Sequence, residues 1–184
     1  MWIESVEATG YVGTAKAAEN VVGHALSQQG LKELDIASLV KGSNYRNKTE
    51  LVQAVRDGEF HLEPNTFYAQ PLGSQKSPDF IAVTEEEVFF IEVKASKTTS
   101  GYQFNTHLIR DDFTYVLSDP SVGFKVVPGF QIMDSEVREM LYECHQQCTA
   151  IQRKWNEKIS AHLSNTQGWE YYARPMYTQK NVYA

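Results

Sequence analysis

The sequence predicts an α/β domain in which a central mixed β-sheet is flanked by helices. Three observations indicate this fold class. Apolar residues recur at helical spacing near the N-terminus, short runs of β-branched and aromatic residues fill the middle of the chain, and a long helical pattern follows them. Such a chain can bury the apolar faces of both kinds of element by layering helices on a sheet.

The 184 residues are enough for one domain with a substantial core. We divide the domain into N-terminal helices (1–60), a core that contains the candidate site (65–130), and a long helix with a C-terminal segment (131–184). No stretch approaches the roughly 20 apolar residues of a membrane helix, and the N-terminus lacks a secretory pattern. The two cysteines, Cys144 and Cys148, are predicted to be small core residues of a helix rather than a disulfide. We therefore expect a cytoplasmic protein without a membrane partner.

Three helical patterns occupy the first 60 residues. Thr14 can cap a helix that runs to about Gln28, and Gly30 ends it. A second, less regular helix is predicted over 31–40, and a third over 49–58.

Five runs in the central region predict strands. The first, Phe67–Gln70, is predicted to be an edge strand. Phe80–Val83 and Val88–Val93 follow and form a hairpin. Two more strands are predicted at Thr114–Leu117 and Lys125–Val127, and adjacent apolar residues in the former indicate burial on both faces.

The turn of the hairpin determines which residues face each other. A symmetric polar turn pairs Val83 with Val88, and it therefore pairs Asp79 with Glu92. Lys94 lies on the same face, two residues after Glu92. Directly opposed residues have Cβ atoms roughly 4.5–5.5 Å apart, so the open end of the hairpin is predicted to hold two facing carboxylates and a lysine.

Two close carboxylates beside apolar residues either share a proton or bind a cation. Lys94 favours the ionised form of both. Oxygen ligands without a matching set of histidines and cysteines favour Mg²⁺ over zinc. The alternative is a solvated ion pair of Asp79, Glu92 and Lys94 on the protein surface.

A long helix is predicted from Asp134 onward. Its apolar residues are spaced by four, three, four, three and four positions, as in a coiled-coil seam. They are Val137, Leu141, Cys144, Cys148, Ile151 and Trp155. We favour a core helix that packs on the sheet, and a dimer interface is the alternative.

The charged hairpin has a further pattern that is similar to a known family. Pro78-Asp79, twelve intervening residues and Glu92-Val93-Lys94 resemble the PD-(D/E)xK nuclease signature. Two segments that flank this motif resemble a group of type II restriction endonucleases. They are the stretch from Gln70 to Phe80 before it, and the loop with Asn105 and the strand after it. The similarity covers roughly Gln70 to Ser118.

This resemblance implies a restriction-endonuclease-like fold and a Mg²⁺-dependent type II restriction endonuclease. Such an enzyme hydrolyses phosphodiester bonds of double-stranded DNA at a specific sequence, usually as a homodimer. Asp79 and Glu92 would hold the metal with the Val93 carbonyl, and Lys94 would orient the attacking water. The alternatives are a structure-selective repair or recombination nuclease of the same superfamily and a non-catalytic DNA-binding protein.

Further residues are candidates for accessory or DNA-binding roles. Glu19 points toward the apolar stripe of the first long helix, either as an accessory acid or, as we favour, as a residue at the edge of the stripe. Gln75 either orders the attacking water or contacts DNA, or it is a plain turn residue. The net charge of −6 counts against a general nucleic-acid coat. A sequence-specific enzyme needs only a local group of DNA-contacting residues, and Lys97, Asn105 and Arg110 beside the motif are the candidates.

Overall fold

The protein is described by a computed structural model that covers residues 1–39, 48–71, 77–96, 101–104, 109–162, 171 and 177–179. Its main feature is a six-stranded mixed sheet flanked by helices, which confirms the predicted α/β class. The strands of this sheet are β1 (Lys32–Glu33), β2 (Thr66–Ala69), β3 (Phe80–Val83), β4 (Val88–Ala95), β6 (Phe113–Asp119) and β7 (Gly123–Pro128). A separate pair is formed by β5 (Tyr102–Phe104) and β8 (Tyr177–Gln179).

The strands of the main sheet lie in the order β1-β2-β3-β4-β6-β7. The β1–β2 and β4–β6 pairs are parallel, and the other neighbouring pairs are antiparallel. β6 is interior as predicted, and Val116 and Leu117 are fully buried on its two faces. The prediction of an edge position for β2 was wrong, because the short β1 pairs with its outer side.

Six helices accompany the sheet in the described residues: α1 (Trp2–Glu7), α2 (Ala15–Gln28), α3 (Ile36–Leu39), α4 (Lys48–Arg56), α5 (Gly129–Ile132) and α6 (Ser135–His162). α2 begins where predicted, and the Thr14 hydroxyl accepts a hydrogen bond from the Ala17 N–H at 3.2 Å. None of these helices has the length and apolar character needed to cross a membrane.

The predicted helix over 31–40 is wrong. The chain forms β1 there and then the single turn of α3. The Lys32 N–H donates to the Asn65 carbonyl at 2.9 Å, and the Leu34 N–H donates to the Phe67 carbonyl at 2.8 Å. Pairing with a distant strand therefore replaces the local helical bonds.

Helices cover both faces of the sheet. On one face Val22 of α2 belongs to the same buried cluster as Ile91 of β4. On the other face Val52 of α4 is buried in a cluster with Phe90 and Leu117. Alternation along β4 therefore sends its side chains into two different cores.

The long helix α6 forms where predicted, but the preferred core position was wrong. The structure describes all of its residues, and none of them is buried. Val137, Ile151 and Trp155 are 44%, 56% and 52% exposed. Arg138 ties the first turn to the body, because its guanidinium forms an ion pair with Asp111. Heptad spacing thus specified an apolar stripe but did not specify what covers it.

Candidate active site

The hairpin of β3 and β4 has the predicted register. Val83 pairs with Val88, and the ladder ends at Phe80 opposite Ile91. Asp79 continues the strand direction by one residue, since its N–H donates to the Ile91 carbonyl at 2.9 Å. This backbone bond places Asp79 beside Glu92 at the open end of the hairpin.

Beyond the end of the ladder, the carboxylate of Asp79 bonds to the backbone of β4 in place of a backbone group. Its Oδ2 accepts a hydrogen bond from the Val93 N–H at 2.8 Å. The Asp79 carbonyl accepts from the Gln70 N–H at 2.6 Å. Asp79 is therefore held between the end of β2 and the middle of β4, and its Oδ1 takes no hydrogen bond from a described residue.

Glu92 is buried, at 7% exposure, next to Tyr115 in the parallel pair of β4 and β6. Lys94 Nζ donates to Glu92 Oε1 at 2.5 Å. The second oxygen, Oε2, is buried and has no hydrogen-bond partner in the described part of the chain. An unpaired buried acceptor costs free energy, more so when it is charged. The site therefore contains one carboxylate oxygen that no described residue uses as a hydrogen-bond acceptor.

The charge of Glu92 affects the ionisation of Asp79. Burial raises the pKa of Asp79 to about 7, and the negative charge of Glu92 contributes to the increase. The Val93 N–H and the Lys94 ammonium oppose this shift without cancelling it. Without a cation, Asp79 is therefore partly protonated near neutral pH. A bound cation would favour the ionised form of Asp79.

Glu19 lies near this pair but is satisfied by other partners. Its charge is one cause of the raised pKa of Asp79. Its Oε2 accepts from Gln70 Nε2 at 2.9 Å and from Lys16 Nζ at 3.2 Å. Within the described ranges, no group of three or more histidine, cysteine, aspartate or glutamate residues is arranged to hold a metal. Glu19 is therefore linked to Asp79 through Gln70 and through its charge.

The residues present nevertheless fit a magnesium ion. Mg²⁺ usually keeps several waters and is bound through one or two carboxylates. Asp79 Oδ1 and Glu92 Oε2 are two such oxygens without a described hydrogen bond, on neighbouring strands. The donor set contains only oxygen, which suits a hard cation.

Arg110 lies on the Glu92 face of the sheet. Its backbone N–H donates to the Tyr115 hydroxyl at 3.0 Å. Its exposed guanidinium lies 5.2 Å from the centre of the Phe113 ring and forms an ion pair with Asp112 at 3.5 Å. Burial raises the pKa of Tyr115, and the charge of Glu92 contributes, so the Arg110 loop and the candidate site are electrostatic neighbours.

Arg56, at the end of α4, was missed by sequence reasoning. Its guanidinium lies 5.0 Å from the centre of the Phe90 ring and forms an ion pair with Asp112. Burial lowers the pKa of Arg56, and the charge of Arg110 lowers it further. Its Nε is buried without a described hydrogen-bond acceptor. A basic residue in the last turn of a helix is ordinary in sequence, so no local signal distinguished it.

Gln70 was also missed as a site residue. It links the Glu19 side chain to the Asp79 backbone, and its positive φ of 45° marks the bend after β2. A cleft of about 440 Å³ opens beside it, with Lys16, Glu19 and His24 in its wall. The remaining candidates, Gln75, Lys97 and Asn105, lie outside the described residues.

The comparisons with known proteins identify no relative. No family model matches the chain, and neither a curated protein nor a solved structure matches it. The function must therefore be inferred from the chemistry of the site itself.

Proposed function

We propose that this protein is a Mg²⁺-dependent endonuclease of the PD-(D/E)xK type that cleaves double-stranded DNA at a specific sequence, as type II restriction endonucleases do. The observation that carries the proposal is the state of Glu92. One of its oxygens is held by Lys94, and the other is buried near Asp79 without a hydrogen-bond partner in the part of the chain that the structure describes. A purely structural ion pair would leave no reason to bury an unsatisfied carboxylate oxygen.

The metal ligands in this proposal are the carboxylates of Asp79 and Glu92, with the Val93 carbonyl as a further candidate. A bound Mg²⁺ would lower the pKa of a coordinated water and stabilise negative charge on the scissile phosphate. The chain supplies the position of these groups. The bond from the Val93 N–H fixes the Asp79 carboxylate, and burial of Glu92 between strands fixes its side chain.

Lys94 is the proposed catalytic cation. It lies two residues after Glu92 and is half-buried, with its ammonium against Glu92 Oε1. From that position it can donate a hydrogen bond to the attacking water and oppose the charge that develops on the phosphate. Its restricted surroundings distinguish it from a lysine that only tracks a phosphate backbone.

Positively charged groups near the site would contact the DNA. Arg56 and Arg110 carry this role on the Glu92 face, and Lys97 and Asn105 are candidates from the sequence pattern. Glu19 would act indirectly, because it orients Gln70, which holds the Asp79 backbone. A symmetric duplex target would require two such sites, as a homodimer provides.

Plasmid digestion with Mg²⁺ tests the proposal. The wild-type protein should release discrete fragments, and Glu92→Gln should release none while keeping its circular dichroism spectrum. Glu87→Gln is the matched control, since it neutralises an exposed acid in the turn of the same hairpin. Cutting restricted to branched substrates would instead support a structure-selective nuclease. DNA binding without cutting would indicate a non-catalytic DNA-binding protein, and equal activity in Glu92→Gln would remove the site assignment.

A further inference from the structure

Much of the apolar seam of α6, which consists of Val137, Leu141, Cys144, Cys148, Ile151 and Trp155, is exposed. Val137, Ile151 and Trp155 are about half exposed, Cys144 is exposed, and Leu141 and Cys148 are half-buried. The seam runs over about two and a half heptads, from Val137 to Trp155, which is roughly 27 Å of helix at 1.5 Å per residue. A stripe of this length on a helix without a buried residue is the kind of surface that pairs with another helix.

The order of residues along the seam is symmetric about Gln146. Cys144 and Cys148 lie two positions to either side of this point, Leu141 and Ile151 lie five positions away, and Val137 and Trp155 lie nine positions away. A second copy that runs in the opposite direction therefore meets the same seam in the same register. Such self-complementarity is the requirement for a two-fold interface between identical chains.

The charges of the helix favour the same arrangement. Its first half, with the residue before it, contains four acidic residues and Arg138 as its one basic residue: Asp134, Glu136, Glu139 and Glu143. Its second half contains Arg153, Lys154 and Lys158 with one acidic residue, Glu157. Antiparallel pairing places each acidic half beside a basic half, whereas parallel pairing places like charges together.

We propose that two copies of this chain associate through α6 as an antiparallel pair whose two-fold axis lies level with Gln146 along the helix. The large Trp155 then lies against the partner's Val137, Leu141 lies against the partner's Ile151, and Cys144 lies against the partner's Cys148. Each layer combines residues that fill the space between two helix axes roughly 8–10 Å apart. Arg138 supports this geometry, because its ion pair with Asp111 fixes the base of the helix on the body. The association does not rest on the proposed nuclease activity.

Thiol oxidation tests the register. An added diazene oxidant such as diamide takes two electrons and two protons from a pair of facing thiols, and a disulfide forms between them. The wild-type protein should give a disulfide-linked dimer on a non-reducing gel. Cys144→Ala and Cys148→Ala should each give none, since every cross-link joins Cys144 to the partner's Cys148. Mixing the two variants should restore the dimer band, because a mixed pair again contains one facing couple.

A parallel pair behaves differently, because each single variant retains a symmetric couple of identical cysteines. Cross-linking that persists in either single variant would therefore overturn the antiparallel register. Failure of the mixed sample to cross-link would also overturn it. The double variant Cys144→Ala/Cys148→Ala, which has no cysteine, is the negative control for the single-variant samples and for the mixed sample.

Sedimentation tests the surface without any thiol chemistry. The wild-type protein should sediment as a dimer, and Ile151→Lys should raise the dissociation constant by on the order of a hundredfold or more, because it buries an unpaired charge in the pair. Gln146→Lys adds the same charge on the opposite side of the helix and should change the constant little. A monomeric wild-type protein would overturn the proposal. So would an Ile151→Lys variant that remains dimeric, or one that unfolds by circular dichroism, since unfolding would mean that the chain itself covers this position.

Discussion

Replacing Asp79 with asparagine should stabilise the metal-free protein at pH 8 and abolish its response to Mg²⁺. In the folded protein burial and the charge of Glu92 raise the pKa of Asp79 to about 7, against an ordinary value of 3.8. The folded chain therefore holds a proton between about pH 4 and pH 7 that the unfolded chain has released. This contribution to stability is present below about pH 4 and is lost as the pH rises through about 7.

The size of the effect follows from the pKa difference. About three pH units correspond to about 4 kcal/mol between the protonated and ionised forms of Asp79. Asparagine mimics the protonated acid, and its oxygen can still accept the Val93 N–H. Its NH₂ group is buried without a hydrogen-bond acceptor among the described residues, which costs about 1–3 kcal/mol. We therefore expect a net gain of about 2 kcal/mol at pH 8 and almost none at pH 5, where the pKa difference contributes less than about 2 kcal/mol.

Urea unfolding followed by circular dichroism measures both parts of this prediction. Without metal, Asp79→Asn should unfold at higher urea than the wild type at pH 8. With Mg²⁺ at a hundred times its dissociation constant, the wild type should gain about 2.7 kcal/mol and the variant almost nothing. Glu86→Gln is the control for the loss of one negative charge in the exposed turn of this hairpin. A variant less stable than the wild type at pH 8, or one that responds equally to Mg²⁺, would refute the reasoning.

Two further predictions concern catalysis and packing. Lys94→Ala should slow cleavage by on the order of a hundredfold, while binding of cognate DNA in Ca²⁺ changes much less. General loss of affinity with normal cleavage of bound DNA would instead indicate a phosphate-tracking lysine. Gly129→Ala should lower the free energy of unfolding by about 3 kcal/mol or more, because the added Cβ would lie 1.8 Å from the Arg110 carbonyl oxygen. Gly10→Ala, where an added Cβ meets no described atom within 4 Å, should change it by less than about 0.5 kcal/mol. Equal denaturation midpoints for the two glycine variants would contradict this packing argument.

The parts of the fold that depend on neighbouring residues were predictable from the sequence. Thr14 caps α2 through a bond three residues along the chain, so the start of this helix needs no tertiary information. The hairpin is equally local, because strand alternation and a short polar turn determine its register. That register places Asp79 beside Glu92 and Lys94 two residues beyond it, as the structure shows.

Contacts between residues far apart in the chain determined the features that local sequence patterns did not predict. Residues 32–34 bond to a strand more than thirty positions away, and this pairing outweighs their weak helical pattern. Arg56 approaches Phe90 only because α4 packs on that face of the sheet. The bond between Gln70 and Glu19 likewise joins residues that are 51 positions apart. None of these contacts leaves a periodic or spacing signal in the sequence.

The environment of a side chain also depends on the whole fold. The sequence determined that Asp79, Glu92 and Lys94 share one end of a hairpin, and that α6 carries an apolar stripe. Only the tertiary structure decided that Glu92 is buried with one oxygen unpaired among the described residues, and that no residue of α6 is buried. Periodicity reports which residues share a face, whereas burial is set by whichever distant element packs on that face.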